Sequence, residues 1–380
     1  MSDVAVIGGG IVGSSVAYHA ARAGLKVTLA DRSDAGHATA AGAGIVASGI
    51  GQRPATAHDA LLAKAAAYYP RLIAQLAADG EERTGYNTVG SILVAMTEAE
   101  VEALVDANRI GEESRAAGVE GIEEVSLIDG RQARALFPPL AEVPAALHLA
   151  GTARIDGRLM RSALQRAARR HGASIVRGNA ELLRDDAGRA RLSVDGRRSP
   201  AENVVVAAGA WSASLGAALG VAIPVYPQRG QIAHLELPEA DTGRWPVVLT
   251  FQGNYLLTFP RNRVVAGATR ENDSGFDDRM TAGGVHQVLG QALRVAPGLH
   301  RGTLREVRVG FRPATVDGLP ILGRVPGYEN IYIATGHGPS GLTLGPHAGA
   351  VIADMIRGEG IDLDLTPYAL ERFEGAPRPA

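Results

Sequence analysis

The 380-residue sequence carries a formal net charge of −2 and contains no cysteine. The absence of cysteine excludes disulfides, thiolate metal sites and a cysteinyl bond to a cofactor, and the balanced charge gives no electrostatic basis for binding nucleic acid. The length predicts two domains, or one large α/β unit with an insertion.

Motifs of several common function classes are missing. Lys26 and Lys64, the two lysines, lie outside any GxxxxGK[ST] loop, no serine occupies a GxSxG motif, and the histidines lack metal-ligand spacing. We therefore predict no P-loop and no metal site. The first strand begins close to the N-terminus and no apolar run reaches about 18 residues, which predicts a cytoplasmic protein without a membrane span. The sequence leaves open whether the protein forms a homo-oligomer.

Residues 1–31 follow the order strand, glycine turn, helix, strand and acid. An apolar strand at 4–7 runs into the glycine turn GGGIVG, and a second strand ends at Asp31, 23 residues after Gly8 (31 − 8). Such glycines permit a tight turn and a close approach of a pyrophosphate, while the acid accepts the ribose hydroxyls. The pattern predicts dinucleotide binding by Gly8, Gly10, Ile11, Val12, Gly13, Asp31 and the adjacent Arg32.

A loop of small residues follows at 38–46. Side chains this small indicate backbone lying against a large flat ligand, although a flexible linker is the alternative. The contacts predicted in this loop are Thr39, Ala43, Gly44 and Ile45. Beyond it we predict helices at 58–79, 97–117 and 130–136, and a strand at 89–95. Thr97 and Glu100 have the spacing of a capping box for the second of these helices.

The chain is predicted to return to the first domain near residue 153. We expect a helix at 157–171, a strand at 174–177, a hairpin at 181–195 that turns at 185–188, and a buried strand at 203–207. Glu181 and Gly209 are assigned to the dinucleotide site.

Residues 223–311 are β-rich. Strands predicted at 231–235, 247–251, 255–259, 264–268 and 303–311, with one helix near 281–294, indicate an antiparallel sheet and hence a second domain. The tail returns to α/β, with a strand at 331–334, a glycine turn at 336–341 and a helix to Gly358; residues 360–380 are expected to form a surface end-piece. The turn offers a second helix N-terminus to the ligand.

Six short motifs carry a family likeness over nearly the full length. They are the first glycine turn with Asp31, the loop 39–46, VVVAAGAW at 204–211, VVAGAT at 264–269 with GFD at 275–277, GFRPATVDGLPILG at 310–323, and the last glycine turn at 336–344 followed by Gly345-Pro346. In their order and spacing, the chain resembles the glycine oxidase, D-amino-acid oxidase and sarcosine oxidase family of FAD-dependent amine oxidoreductases.

The resemblance implies two interleaved domains. The first is a discontinuous, Rossmann-like α/β FAD-binding domain, assigned to 1–86, 151–219 and 312–380. The second is an α+β substrate domain built on an antiparallel sheet, assigned to 87–150 and 220–311. The FAD is expected to be non-covalent. The last glycine turn is expected to run along the flavin, through His337, Gly338, Pro339, Ser340, Gly341, Leu342 and Thr343.

The resemblance also implies hydride transfer from the carbon beside a substrate amine to flavin N5, giving an imino and then an oxo acid. The expected substrate is a small amino acid or N-alkyl amino acid of the D-amino acid, glycine or sarcosine type. By motif position, Arg312 grips the substrate carboxylate and Tyr255 is a second contact, and a guanidinium fork suits this role. The alternatives are a structural ion pair for Arg312, a core position for Tyr255 and a structural role for His337.

Arg270 follows the GAT motif, where an uncharged residue is common in the family. If Arg270 faces the pocket, the substrate carries a second anionic or polar group; an exposed arginine beside Glu271 and Asp273 is the alternative. The electron acceptor can be oxygen, a quinone or a partner flavoprotein. The chain can instead be the flavin subunit of a multi-subunit amine or proline-type dehydrogenase, or an NAD-dependent dehydrogenase.

Overall fold

The computed structural model describes residues 1–48, 56–118, 124–184, 190–238 and 240–374. Its α-helices are α1 (Ile11–Arg22), α2 (Ala38–Ala41), α3 (Ala57–Ala78), α4 (Glu98–Ala116), α5 (Gly130–Leu136), α6 (Gly157–Arg170), α7 (Ser212–Leu219), α8 (Ala282–Val295) and α9 (Gly341–Arg357). Among these described residues, no helix is both long and apolar enough to cross a membrane.

The strands cover both halves of the chain. They are β1 (Ser2–Ile7), β2 (Val27–Asp31), β3 (Ile45–Val46), β4 (Asn87–Thr88), β5 (Ser91–Ala95), β6 (Val125–Asp129), β7 (Ala145–Leu149), β8 (Ala153–Arg154), β9 (Ser174–Arg177), β10 (Ala180–Arg184), β11 (Ala190–Val194), β12 (Arg197–Ser199), β13 (Ala201–Val206), β14 (Val225–Glu236), β15 (Val247–Thr250), β16 (Tyr255–Phe259), β17 (Arg263–Gly267), β18 (Thr303–Thr315), β19 (Ile321–Arg324) and β20 (Ile331–Thr335).

The first sheet has six strands in the order β19-β20-β13-β1-β2-β9. Its neighbouring strands are parallel, except for the antiparallel pair β19–β20. The strands β1, β13 and β20 are mostly apolar and buried, as expected where both faces of a parallel sheet are covered. Helices α1, α3, α6 and α9 build the main hydrophobic core with this sheet. The arrangement is consistent with the predicted Rossmann-like fold.

The second sheet has eight strands in the order β18-β14-β17-β16-β15-β5-β7-β6. It joins strands from 91–149 to strands from 225–315, so two distant segments build one sheet. Its pairs are antiparallel as predicted, except that β5 and β15 run parallel. No short turn links β5 to β15, so no hairpin forces these two strands to be antiparallel. Helices α5 and α8 pack against one face of this sheet.

Several local predictions are confirmed. Thr97 and Glu100 form the predicted capping box at the start of α4, and β10 and β11 pair as the predicted antiparallel hairpin. The predicted hairpin turn at 185–188 lies outside the described residues, as does the end of the predicted end-piece, 375–380.

The two large sheets meet along β18. The backbone N–H of Phe311 on β18 donates to the carbonyl of Gly36, at 2.8 Å, just before α2. This contact joins the second sheet to the loop that follows β2. The boundary predicted between residues 311 and 312 falls inside β18, and the division into two domains stays a prediction.

Candidate active site

The first glycine turn has the close contacts that its sequence predicts. Gly8 has φ +102°, and a Cβ there would lie 2.4 Å from the carbonyl oxygen of Ala207. A Cβ on Gly13 would lie 1.9 Å from the carbonyl oxygen of Gly8. A side chain at either position would push α1 or β13 away from the turn. The glycines therefore hold the N-terminus of α1 close to the ends of β1 and β13.

A large cavity opens at this turn, between the ends of β1 and β2 and the strands β14 and β18. Its empty volume, including space open to solvent, is about 1570 Å³. The predicted cofactor contacts that line it are Gly8, Gly10, Ile11, Val12, Asp31, Arg32, Thr39, Ala43, Gly44, Ile45, Gly209, His337, Gly338, Pro339, Gly341 and Leu342. The cavity thus brings together residues that are more than 300 positions apart.

Four predicted contacts lie outside the lining. Gly13 packs on Gly8, and the hydroxyl of Thr343 donates to the carbonyl of Ile45 at 3.1 Å. Glu181 is exposed and accepts a hydrogen bond from Asn179, while its neighbour Ala180 lines the cavity instead. Ser340 is only partly buried, beside the lining residues Pro339 and Gly341.

Asp31 has a partner that the sequence did not reveal. Arg161 on α6 donates from Nη2 to Asp31 Oδ2 at 2.6 Å and from Nε to the carbonyl of Gly9. Gln165, one turn further along α6, donates to the same carbonyl at 3.1 Å. Helix α6 therefore fixes both the acid and the glycine turn. No motif marks Arg161, because α6 carries several arginines and the contact joins residues 130 positions apart.

Arg312, on β18, also lines the cavity. Its Nη1 donates to the carbonyl of Thr269 at 3.0 Å and to Gln228 Oε1 at 3.4 Å. A Cβ on Gly230 would lie 2.6 Å from both Nη atoms, so the guanidinium rests on the bare backbone of β14. Burial lowers the pKa of Arg312 from its ordinary value. Within the described part of the chain, Arg312 forms no ion pair, so the predicted alternative of a structural ion pair is not found.

Tyr255 lines the same cavity. It stands opposite Gly267 in the β16–β17 pairing, and a Cβ on Gly267 would lie 2.4 Å from the phenol oxygen. Burial raises the pKa of Tyr255, an effect that nearby Arg312 and Arg270 partly offset. The phenol therefore stays protonated at neutral pH. Its hydroxyl makes no hydrogen bond with any other described residue, which leaves a donor beside Arg312.

Arg270 does not line the cavity, and its side chain is exposed. Its Nη2 atom lies 3.6 Å from the position that a Cβ on Gly253 would take. The adjacent Glu271 binds Arg229 and Gln231 instead. Over the described ranges, Arg270 makes neither a hydrogen bond nor an ion pair.

His337 is 3% exposed and lines the cavity. Burial, with a smaller effect of His58, lowers the pKa of His337 to about 4, so the ring is neutral at neutral pH. Its Nε2 atom is buried and has no hydrogen-bond partner among the residues that the structure describes. A neutral ring with a free nitrogen can contact a polar ligand atom but carries no charge there.

Aromatic side chains complete the lining. Trp211 and Phe311 line the cavity and meet edge to face, with ring centroids 6.0 Å apart. Phe276 stacks on Trp211 at 5.0 Å and is 47% exposed. All three lie within the quoted motifs, but their meeting depends on packing between distant elements. Sequence reasoning assigned no ligand contact to any of them.

A comparison with protein families decides the identity of the fold. The model of the family described as FAD dependent oxidoreductase, DAO, matches residues 3–355. The chain belongs to this family. Membership in the DAO family makes the protein an FAD-dependent oxidoreductase, as the motifs predicted, and the lack of cysteine excludes a thioether link to the flavin.

Three DAO-family relatives match almost the full chain. The uncharacterized oxidoreductase YurR of Bacillus subtilis (strain 168) is 41% identical over 97% of this chain and 98% of its own. The glycine oxidase of Geobacillus kaustophilus (strain HTA426) is 30% identical over 98% of this chain and 97% of its own. The crystal structure of iminodiacetate oxidase from Chelativorans sp. BNC1 has a TM-score of 0.90 and 42% identity, and covers 96% of this chain and 98% of that one.

The residues at the cavity fit the FAD of this family. Helix α1 has no acidic residue in its first turn, so the positive end of its dipole suits a pyrophosphate. The Ile11 N–H at this end donates to the hydroxyl of Thr39 at 2.9 Å. A Cβ on Gly9 would lie 2.8 Å from Asp31 Oδ2, and one on Gly42 would lie 2.7 Å from Leu342. These two glycines let the side chains of Asp31 and Leu342 lie directly against the backbone that lines the cavity.

Proposed function

We propose that the protein oxidises a small amino acid or N-alkyl amino acid of the D-amino acid, glycine or sarcosine type. The observation that carries this proposal is Arg312, a cation at the cavity that no carboxylate of the described residues neutralises. A substrate carboxylate supplies the missing anion, and a guanidinium can bind it with two parallel hydrogen bonds. The names of two relatives, glycine oxidase and iminodiacetate oxidase, support an amino-acid substrate.

Arg312 and Tyr255 have complementary roles in this proposal. Arg312 supplies charge, and the protonated phenol of Tyr255 donates a hydrogen bond to the same carboxylate. Two contacts fix the orientation of a small substrate, and orientation alone lowers a barrier substantially. Bound FAD supplies the acceptor for the two electrons and the hydrogen that leave the α-carbon.

The substrate amine reacts in its neutral form. Neither His337 nor Tyr255 is charged at neutral pH, so neither repels or attracts the amine electrostatically. Loss of hydride from the α-carbon then gives an imino acid, which water hydrolyses to the oxo acid and the free amine. No protein nucleophile is needed in this sequence.

The test is anaerobic mixing of the purified flavoprotein with a panel of amines. The panel contains glycine, sarcosine, D-alanine, D-proline and iminodiacetate, with the L-amino acids as controls. We expect at least one member to bleach the oxidised flavin spectrum and to yield one equivalent of oxo acid. Addition of oxygen or a quinone analogue afterwards identifies the acceptor. Failure of every amine and amino acid to reduce the flavin would contradict the proposal.

A further inference from the structure

Arg270 is a second cation beside the proposed carboxylate site. We propose that Arg270 forms a second anion subsite, and that the preferred substrate is an amine with carboxylates on both sides of the nitrogen, an N-(carboxyalkyl) amino acid. This inference rests on the function proposed above, and it adds the class of substrate and a specificity-determining residue.

The local geometry places Arg270 close to Tyr255. Tyr255 stands opposite Gly267 in the sheet, and Arg270 follows Gly267 by three residues. The guanidinium of Arg270 also lies near Gly253, two residues before Tyr255, with Nη2 3.6 Å from the position that a Cβ on Gly253 would take. Burial raises the pKa of Tyr255 and lowers the pKa of Arg312; the charge of Arg270 partly offsets the first shift and adds to the second, as expected of a cation near the carboxylate site.

The acids near Arg270 are already bound to other groups. Glu271 accepts hydrogen bonds from Arg229, Gln231 and Thr269. Arg229, on β14, has a second carboxylate within 3.0 Å, at Asp277. Within the parts of the chain that the structure describes, Arg270 and Arg312 therefore share a region with two positive charges and no carboxylate bound to either.

Two nearby cations repel each other when the site loses water, and a ligand with two anionic groups removes that repulsion. A simple amino acid supplies one carboxylate, whereas an N-carboxymethyl amino acid supplies a second one across the nitrogen. The iminodiacetate oxidase that is 42% identical to this chain is named for a substrate of this kind. We therefore place the second carboxylate on the N-substituent rather than on an amino-acid side chain.

The reaction of such a substrate balances with the groups already named. One C–H bond of iminodiacetate breaks, its hydride passes to FAD, and the nitrogen lone pair forms the C=N bond with loss of the N–H proton. Water then adds to the carbon and the C–N bond breaks. Iminodiacetate, FAD and water thus give glycine, glyoxylate and reduced FAD.

The first test measures binding to the flavoprotein without turnover. Thiodiglycolate, in which sulfur replaces the amine of iminodiacetate, is the two-carboxylate probe, and methylthioacetate is the one-carboxylate probe. Perturbation of the flavin spectrum gives the dissociation constant of each. We expect Arg270→Met to weaken thiodiglycolate about ten- to a hundredfold, the usual size of a hydrogen bond to a charged group, and to leave methylthioacetate within about threefold. Arg270→Lys should recover part of the loss.

Arg301→Met is the matched control. Arg301 is also exposed and makes no side-chain hydrogen bond within the described ranges. It lies just before β18, near the end of β14 at Glu236 and therefore away from Gly230. This variant removes the same charge and should leave both dissociation constants unchanged. The proposal of a second subsite would be overturned if Arg270→Met changed the dissociation constants of both probes by the same factor, or changed neither.

The second test separates this inference from the proposed function. If no amine reduces the flavin, the proposed function fails, and with it the subsite. If glycine or sarcosine reduces the flavin but iminodiacetate has no higher kcat/KM, only the subsite fails. A higher kcat/KM for D-aspartate or D-glutamate than for iminodiacetate would also overturn the placement of the second carboxylate on the N-substituent. A higher kcat/KM for iminodiacetate that disappears in Arg270→Met, with sarcosine unaffected, is the expected result.

Discussion

At the scale of single residues, glycines decide where the functional side chains lie. Arg312 rests on Gly230 and Tyr255 rests on Gly267, and a Cβ at either glycine would overlap the side chain. Motif position predicted Arg312 and Tyr255, because both follow recognisable sequence neighbours. The supporting role of Gly230 could not be predicted, since it depends on the register between β14 and β18.

Gly230→Ala tests this support directly. The new Cβ would meet the guanidinium of Arg312, which is the flexible end of a side chain, so the cation should move while the fold persists. A displacement of about 1 Å can cost roughly a hundredfold in rate. We expect kcat/KM to fall by about that factor with normal flavin content. Gly283→Ala, at a site with no atom within 4 Å of the new Cβ, is the control and should retain full activity.

The pH dependence of turnover follows from the pKa values of the cavity side chains. The pKa of His337 is lowered to about 4 and the pKa of Tyr255 is raised, so neither group changes charge between pH 5 and 9. We expect kcat/KM to rise with pH, about tenfold per unit, until the substrate amine is neutral. His337→Asn should show the same slope. A bell-shaped profile that the substitution abolishes would contradict this expectation.

At the scale of elements, α6 organises the nucleotide end of the cavity. The β1–α1–β2 unit could be predicted because its glycines and Asp31 lie within one short stretch. The contribution of α6 could not, because Arg161 and Gln165 reach the glycine turn only through the packing of α6 against α1. The aromatic group of Trp211, Phe276 and Phe311 was missed for the same reason.

Arg161→Met tests the role of α6 in holding the cofactor. Without the guanidinium, Asp31 and the Gly9 carbonyl lose their shared donor. We expect FAD to bind about tenfold or more weakly, the size of a lost hydrogen bond to a charged group. FMN, which lacks the adenosine half, should bind as before.

Arg169→Met removes an exposed arginine from the last turn of the same helix and is the control. It should bind FAD normally. Equal weakening of FAD and FMN in Arg161→Met, or a large loss of thermal stability in its apo-protein, would indicate a general structural role for Arg161 instead.

At the scale of the whole molecule, the sequence predicted a Rossmann-like α/β part and an antiparallel sheet, but it did not predict β6 and β7, which belong to the second sheet. The parallel pair β5–β15 was not predicted, because it joins strands about 150 residues apart with no local turn to fix their direction. Residues of several family motifs line the cavity, and the domain boundaries stay a prediction.

Buried neutral histidines should make the whole fold sensitive to acid. Burial lowers the pKa of His19 to about 3 and those of His234, His337 and His347 to about 4. Between pH 6.5 and about 4, the unfolded chain binds these protons and the native state does not, so the free energy of unfolding falls as pH falls. Each histidine can contribute up to about 1.4 kcal/mol per pH unit.

Urea unfolding of the apo-protein at pH 7, 6 and 5 measures this slope. His234→Leu should reduce the slope, since one proton-binding site disappears from the unfolded chain. His286→Asn, at an exposed position on α8, is the control and should leave the slope unchanged. Stability that does not change over this range would show that the native state binds these protons.

The most direct test of the central claim compares the wild-type protein with Arg312→Met in anaerobic rapid mixing with the best substrate. We predict equal flavin content in both proteins and a half-saturating substrate concentration at least about thirtyfold higher in the variant, because truncating one partner of a buried charge pair costs about 2–5 kcal/mol. Half-saturation at the same concentration in both proteins would show that Arg312 does not hold the substrate carboxylate.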